Sequence, residues 1–102
     1  MEGIRTDEAL AAFLADSRPG IAVVEYGTSW CHKCHEIFPA FYQLSRRYPQ
    51  HRYAVAQVEG MPGAVKRLRY TPTFAIYRDG CKVDEVVGNK PQRLADHLWL
   101  WA

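Results

Sequence analysis

The sequence predicts an α/β fold in which a mixed β-sheet has helices on both of its faces. The first observation behind this prediction is that short runs of apolar and β-branched residues alternate along the chain with segments whose apolar residues recur at helical spacing. The second is that Asp79-Gly80, a strong hairpin signal, lies between the last two strand-like runs. The two strands of a hairpin are antiparallel, so the sheet is not wholly parallel.

The first half of the chain predicts a helix, a strand and a second, longer helix. Thr6 is a suitable N-cap for the first helix, and Pro19-Gly20 marks its end. Residues 21–27 are rich in apolar and β-branched side chains and predict a buried strand. The second helix extends from about Cys31 to Tyr48. Pro39 is expected to kink it, because proline has no N–H to donate and its ring clashes with the preceding turn.

The second half of the chain predicts three strands and two helices. Residues 53–58 predict the second strand, and residues 62–68 predict a short helix with a proline at its start. Residues 73–78 and 82–87 predict the two strands of the hairpin. A last helix has Pro91 in its first turn. The predicted order is therefore α-β-α-β-α-β-β-α.

The composition is that of a soluble globular protein, with 48% apolar and 24% charged residues, and it predicts a single domain over residues 1–102. The formal net charge is +2, and the basic clusters are expected on solvated helix faces, so we expect no nucleic-acid partner. Three cysteines are too few for a disulfide scaffold, which favours a reducing compartment such as the cytoplasm. No segment predicts a signal peptide or a transmembrane helix, so we expect no membrane partner.

The strongest functional signal is Cys31-His32-Lys33-Cys34, at the start of the second helix. Residues i and i+3 lie on one helical face, so the two thiols can meet as a disulfide. The first thiol also lies where unpaired backbone N–H groups and the helix dipole favour an anion, and thiolate is the nucleophilic form of cysteine. We therefore expect a dithiol that is oxidised and reduced in turn. Cys31 would be the nucleophile and Cys34 the resolving thiol; the alternative is a pair of inert core thiols.

Two cofactor hypotheses involve the same residues. Residues 31–35 match the motif for covalent haem attachment, but a haem would have to displace the helix from the sheet. Zinc binding through Cys31, Cys34 and either His35 or Cys81 lacks a second, separate pair of ligands. We therefore expect no metal and no cofactor beyond the dithiol. Cys81, which follows the hairpin turn, is expected to be a lone thiol.

Several motifs together resemble the thioredoxin family over essentially the whole chain. Trp30 and the Cys-x-x-Cys segment after it are similar to the family's Trp-Cys-x-x-Cys site, and Pro39 matches the proline that kinks the active-site helix. Residues 71–73, Thr-Pro-Thr, resemble the segment whose cis-proline faces the disulfide, and Gly88 matches the glycine beside the site. Within the family, the chain looks most like plant and algal thioredoxin-like proteins with atypical motifs.

The resemblance implies the thioredoxin fold and a protein-disulfide reductase. A substrate would lie along a groove formed by Trp30, Thr71, Pro72 and Gly88, where backbone groups beside the proline pair with an extended peptide. The electron donor would be a thioredoxin reductase or glutathione, and the protein would be a monomer. Its compartment would be the cytoplasm, or an organelle such as the chloroplast if a transit peptide has been removed. A redox-tuned binding or adaptor module with little turnover is the alternative, since fold does not fix function.

The chain departs from the family pattern at three places. His32-Lys33 stands where most members have Gly-Pro, and these two side chains would belong to the substrate-binding surface. Glu25 stands where most members have a buried Asp, and residues 53–58 contain no lysine to pair with it. A buried, unpaired carboxyl is expected to have a raised pKa, which suits a proton acceptor for Cys34. The alternative is that the Glu25 side chain reaches solvent at the end of its strand.

Overall fold

A computed structural model describes residues 1–102 as five β-strands and four α-helices. In chain order these are β1 (Glu2–Ile4), α1 (Asp7–Asp16), β2 (Ile21–Gly27), α2 (His32–Arg47), β3 (Arg52–Gln57), α3 (Pro62–Val65), β4 (Thr73–Arg78), β5 (Cys81–Val87) and α4 (Pro91–Leu100). A short 3₁₀ turn, Val58–Gly60, joins β3 to α3. No helix is both long enough and apolar enough to cross a membrane.

The strands form one mixed sheet in the order β1-β3-β2-β4-β5. Strand β3 pairs in parallel with β1 and β2, whereas β4 is antiparallel to both β2 and β5. In the hairpin turn Asp79 and Gly80 have φ angles of 52° and 85°. This left-handed backbone favours glycine and is tolerated by aspartate, so the Asp-Gly pair directs the chain into the two-residue turn. The predicted mixed sheet and hairpin are confirmed.

The sheet separates two apolar cores, one on each face. Every residue of β2 is buried, because this central strand is covered by helices on both sides. The core on the α1 and α3 side includes Phe13, Val24, Tyr26, Ala56 and Met61. The core on the α2 and α4 side includes Val23, Ile37, Phe41, Phe74, Leu94 and Leu98. Alternate residues of β2 thus face opposite cores, as the period of two in a strand requires.

Three details of the secondary structure differ from the prediction. Strand β1 was not predicted, because it has three residues and only Ile4 is buried. The strand predicted over residues 53–58 ends at Gln57, where the 3₁₀ turn begins. Helix α3 has a single turn and ends at Val65 rather than at residue 68.

The Thr6 cap and the proline within the long helix are present, whereas the kink expected at Pro39 stays a prediction. The Thr6 hydroxyl oxygen accepts a 3.0 Å hydrogen bond from the backbone N–H of Ala9, which caps α1. Pro39 lies inside α2, where it has no N–H to donate to the carbonyl of His35. The N-terminus of α2 lies just beyond the end of β2, and this junction positions the two cysteines.

Candidate functional site

Cys31 and Cys34 form a disulfide at the N-terminus of α2. Cys31 is the N-cap residue, its φ and ψ angles are −80° and 103°, and its Cα lies 5.3 Å from that of Cys34. The Cys31 sulfur accepts a 3.2 Å hydrogen bond from the backbone N–H of Cys34. Cys31 is half-buried whereas Cys34 is buried, so the first sulfur is the more accessible of the two. The sulfur of Cys31 therefore occupies the place where the helix terminus stabilises an anion.

Gly27, the last residue of β2, contacts the buried sulfur of the pair. A Cβ atom built on Gly27 would lie 2.6 Å from the Cys34 sulfur, which is far inside van der Waals contact. The close packing of strand and helix at this point therefore requires glycine. Gly27 was not identified from the sequence. Its position at the end of a buried strand, four residues before the first cysteine, could have indicated a close approach of the backbone to the cysteine pair.

Glu25 is 1% exposed, and its Oε1 atom has no hydrogen-bond partner. It alternates with Val24 and Tyr26, so it faces the α2 side of the sheet, as does Gly27 two residues later. Burial raises the pKa of this carboxyl from 4.5 to about 7. The alternative in which the side chain reaches solvent is wrong. A carboxyl that titrates near neutral pH on the Cys34 side of the sheet is able to exchange a proton there.

The loop between β2 and α2 is held by the side chains of Glu59 and His35, a role that was not predicted for either residue from the sequence. The backbone N–H of Ser29 donates to both carboxylate oxygens of Glu59, at 3.3 and 3.2 Å. The hydrogen bond from Ser29 holds the pKa of Glu59 below its usual value. On the other side, His35 Nε2 donates to the carbonyl oxygen of Ser29 at 3.0 Å. These contacts fix the backbone beside Trp30, whose large side chain is exposed.

The segment before β4 contains the proline that the motif comparison singled out. The peptide bond between Thr71 and Pro72 is cis. The Pro72 carbonyl accepts a 2.9 Å hydrogen bond from the N–H of Gly88, and Gly88 has a φ of 106°, which favours glycine. The Thr73 hydroxyl donates to the carbonyl of Tyr70 at 2.6 Å. The structure therefore joins Pro72 and Gly88, which are 16 residues apart in sequence.

An exposed network joins the start of α2 to the segment after β5. His32 Nε2 lies 3.3 Å from Glu36 Oε2, and Asn89 Nδ2 donates to Glu36 Oε1 at 2.7 Å. Asn89 follows Gly88, so the network connects two of the predicted substrate-binding residues, His32 and Gly88, to each other. Lys33 is exposed and has no ion-pair partner. Glu36 and Asn89 were not identified from the sequence, where single polar residues such as these give no signal.

The structure brings some of the predicted residues together. Cys31, Cys34 and Glu25 lie around the junction of β2 and α2. Contacts through Glu36 and Asn89 join His32 to the segment of Gly88, which is bonded to Pro72, whereas the Lys33 and Thr71 side chains make no hydrogen bond. The catalytic and substrate-binding roles of these residues stay predictions. No three His, Cys, Asp or Glu side chains are grouped so that they could hold a metal ion. Cys81 is a free, exposed cysteine.

Comparison with known proteins agrees with this geometry. A family model described as thioredoxin matches residues 2–99. A relative named thioredoxin-like 3-3 from Arabidopsis thaliana is 44% identical over 92% of this chain and 76% of its own length. The rice protein of the same name is also 44% identical, over 78% of this chain and 61% of its own length.

Solved structures show the same fold. The thioredoxin of Fasciola hepatica superposes with a TM-score of 0.91 over the whole of both chains, at 23% identity. The reduced Schistosoma mansoni thioredoxin pre-protein gives a TM-score of 0.89, again over both whole chains, at 25% identity. With the disulfide at the start of α2, these matches show that the chain belongs to the thioredoxin family and is a thiol-disulfide oxidoreductase.

Proposed function

We propose that this chain reduces disulfide bonds in proteins, with Cys31 as the nucleophile and Cys34 as the resolving thiol. The observation that best supports these roles is the unequal exposure of the two sulfur-bearing residues at the helix N-terminus. The accessible position is the one where the helix dipole and the N–H of Cys34 stabilise a thiolate.

The first step is attack by the reduced Cys31 thiolate on one sulfur of the substrate disulfide. A new sulfur–sulfur bond joins Cys31 to the substrate, the substrate disulfide breaks, and the other substrate sulfur leaves as a thiolate that takes up a proton. Cys31 is only half-buried, so its sulfur is open to this attack without movement of the core.

In the second step Cys34 releases the substrate. Cys34 loses its proton to the Glu25 carboxylate, and the resulting thiolate attacks the sulfur of Cys31. The mixed disulfide breaks, the substrate leaves with its second thiol, and the Cys31–Cys34 disulfide seen in the structure is formed. The substrate disulfide has gained two electrons and the dithiol has lost them. Because the pKa of Glu25 is about 7, its carboxylate is a base of suitable strength near neutral pH.

The substrate segment is proposed to lie beside Trp30, Thr71, Pro72 and Gly88. In this arrangement an extended peptide pairs with the backbone before β4, as an added strand would. His32 and Lys33 then contact the substrate from the α2 side.

The electron donor is proposed to be a thioredoxin reductase or glutathione, and the protein to act as a monomer in the cytoplasm. An exposed free Cys81 supports a reducing compartment, because an exposed thiol is readily oxidised elsewhere. Sedimentation of the reduced protein tests the monomeric state, and localisation of the tagged natural protein tests the compartment.

Reduction of insulin disulfides tests the proposed activity directly. Turnover is measured with a thioredoxin reductase and NADPH, with glutathione and its reductase, and with dithiothreitol. Cys34→Ser is expected to accumulate a mixed disulfide through Cys31, whereas Cys31→Ser accumulates none and Cys81→Ser turns over like the parent. Absence of turnover with all three donors would contradict the reductase and favour the adaptor module. Trapping of substrate by Cys31→Ser would reverse the roles of the cysteines.

A further inference from the structure

A second concave site lies on the face of the sheet opposite Glu25. A half-open cavity of about 610 Å³ lies between α1, α3 and the sheet strands β2, β4 and β5. Its floor is formed by Tyr26 and Tyr77 of the sheet, and apolar side chains of Leu10, Leu14 and Leu68 line its walls. Cavities of about 300–1,000 Å³ with apolar walls and a few polar groups are typical of small-molecule sites.

The floor of the cavity has a hydrogen-bond donor without a protein acceptor. The hydroxyl oxygens of Tyr26 and Tyr77 are 2.6 Å apart, so one hydroxyl donates to the other. Two hydroxyl hydrogens are present and one hydrogen bond uses only one of them, so the second is free for a ligand. Burial and the neighbouring Tyr77 raise the pKa of Tyr26, so the Tyr26 hydroxyl keeps its proton at physiological pH.

The charged groups around the cavity leave one cation without a partner. Four charged residues line it, and three of them are engaged. Asp7 accepts hydrogen bonds of 2.8 and 3.1 Å from the first backbone N–H groups of α3, and Lys82 pairs with Glu85 at 2.6 Å. Arg67 makes no ion pair and no side-chain hydrogen bond, although its charge is close enough to act on Tyr26. Two groups at this site therefore lack a partner, the Arg67 guanidinium and one tyrosine hydroxyl hydrogen. Both are hydrogen-bond donors, and the guanidinium is positively charged.

We propose that this cavity binds a small molecule with an apolar body and one carboxylate. The carboxylate pairs with the Arg67 guanidinium and accepts the free hydroxyl hydrogen of the tyrosine pair. The apolar body packs against Leu10, Leu14 and Leu68. The site is separated from the disulfide by the sheet, so this binding does not depend on thiol chemistry.

Two matched probes test the proposal, 4-phenylbutyrate and its neutral analogue 4-phenyl-1-butanol. Each is titrated into oxidised ¹⁵N-labelled protein, and amide shifts are followed by NMR. Saturable shifts are expected for amides of Leu14, Leu68 and Ala75, with the carboxylate about tenfold tighter than the alcohol because it gains a charge-assisted pair. Arg67→Met is expected to remove that preference and leave binding of the alcohol unchanged, whereas Arg67→Lys keeps part of it.

Two neighbouring alanines of α1 provide the steric control. Both alanines are exposed, but Ala11 lines the cavity and Ala12 does not. Ala11→Phe is expected to prevent binding of both probes, whereas Ala12→Phe is expected to bind both as the parent does. The same spectra verify that each variant is folded. The proposal is overturned if neither probe gives saturable shifts at the cavity, if the two probes bind equally, or if the preference survives in Arg67→Met. Cys31→Ser is expected to bind 4-phenylbutyrate normally, so a failure of the reductase proposal leaves this test intact.

Discussion

Glu25→Gln is expected to change how the stability of the protein depends on pH. Glutamine keeps the shape of the side chain and removes its ionisation. The parent carboxyl is 1% exposed and has no cationic partner, so its ionised form is destabilised by lost hydration without compensation. The variant should therefore be the more stable protein under alkaline conditions.

The size of this effect follows from the pKa. Burial moves the pKa of Glu25 from 4.5 in an exposed carboxyl to about 7 in the folded protein. Between these values the folded state holds a proton that the unfolded state has released, so the stability of the parent falls as the pH rises from 4.5 to 7. Above pH 7 the loss is complete. At about 1.4 kcal/mol for each pKa unit, it amounts to about 3 kcal/mol.

Urea unfolding of the oxidised proteins at pH 5 and pH 8 measures this difference. Relative to the parent, Glu25→Gln should gain about 2–3 kcal/mol between the two pH values. Glu8→Gln is a matched control, because Glu8 is exposed on α1 and should give a difference of only a few tenths of a kcal/mol. If the free-energy difference between Glu25→Gln and the parent is the same at both pH values, the carboxyl is not desolvated and the reasoning fails.

The same variant tests the proposed role of Glu25 as a base. Resolution of the mixed disulfide should slow by about tenfold or more, whereas the first attack by Cys31 should be nearly unchanged. Stopped-flow kinetics separates the two steps. Resolution as fast as in the parent would show that another group or water accepts the proton from Cys34.

Three further predictions concern the residues around the disulfide. The double change His32→Gly and Lys33→Pro removes the Lys33 cation and an imidazole that can carry positive charge beside Cys31. The reduction potential should therefore become more negative by about 30 mV, a tenfold change in exchange with glutathione. An equal or less negative potential would exclude the electrostatic cause. Gly27→Ala should destabilise the oxidised protein by about 1–3 kcal/mol in urea unfolding, because its Cβ would lie 2.6 Å from the disulfide sulfur of α2. Gly3→Ala, which meets nothing within 4 Å, is the control and should be nearly neutral. With limiting iodoacetamide, the reduced protein should be alkylated at Cys31 before Cys34. Faster labelling of Cys34 than of Cys31 would contradict the assigned roles.

The features that sequence predicted well are those set by short-range patterns. Strand β2 could be recognised because a central strand covered on both faces is a continuous apolar run. Cys31 and Cys34 lie within one helical turn, so their pairing depends on local geometry alone. The side-chain direction of Glu25 followed from strand alternation, and the structure adds that its Oε1 atom has no hydrogen-bond partner.

The features that sequence did not predict depend on contacts between distant parts of the chain. Strand β1 has three residues and exists through pairing with β3, for example Ile4 with Ala56. The hydrogen bond between Glu36 and Asn89 joins residues 53 positions apart. Such polar pairs follow no periodicity, and each is worth little energetically when exposed, so the sequence gives no signal for them.

Successive side chains of β2 face opposite sides of the sheet, so neighbouring residues of this strand contribute to different sites. Glu25 and Gly27 face α2, where one has a titrating carboxyl and the other allows the Cys34 sulfur to approach. Tyr26, between them, faces the opposite core and contributes its hydroxyl to the cavity floor. A shift of one residue in the pairing of β2 with β3 and β4 would exchange these faces, placing the phenol under α2 and the carboxyl in the cavity. The register of this one strand therefore keeps the redox site and the second cavity chemically distinct, although their residues are adjacent in sequence.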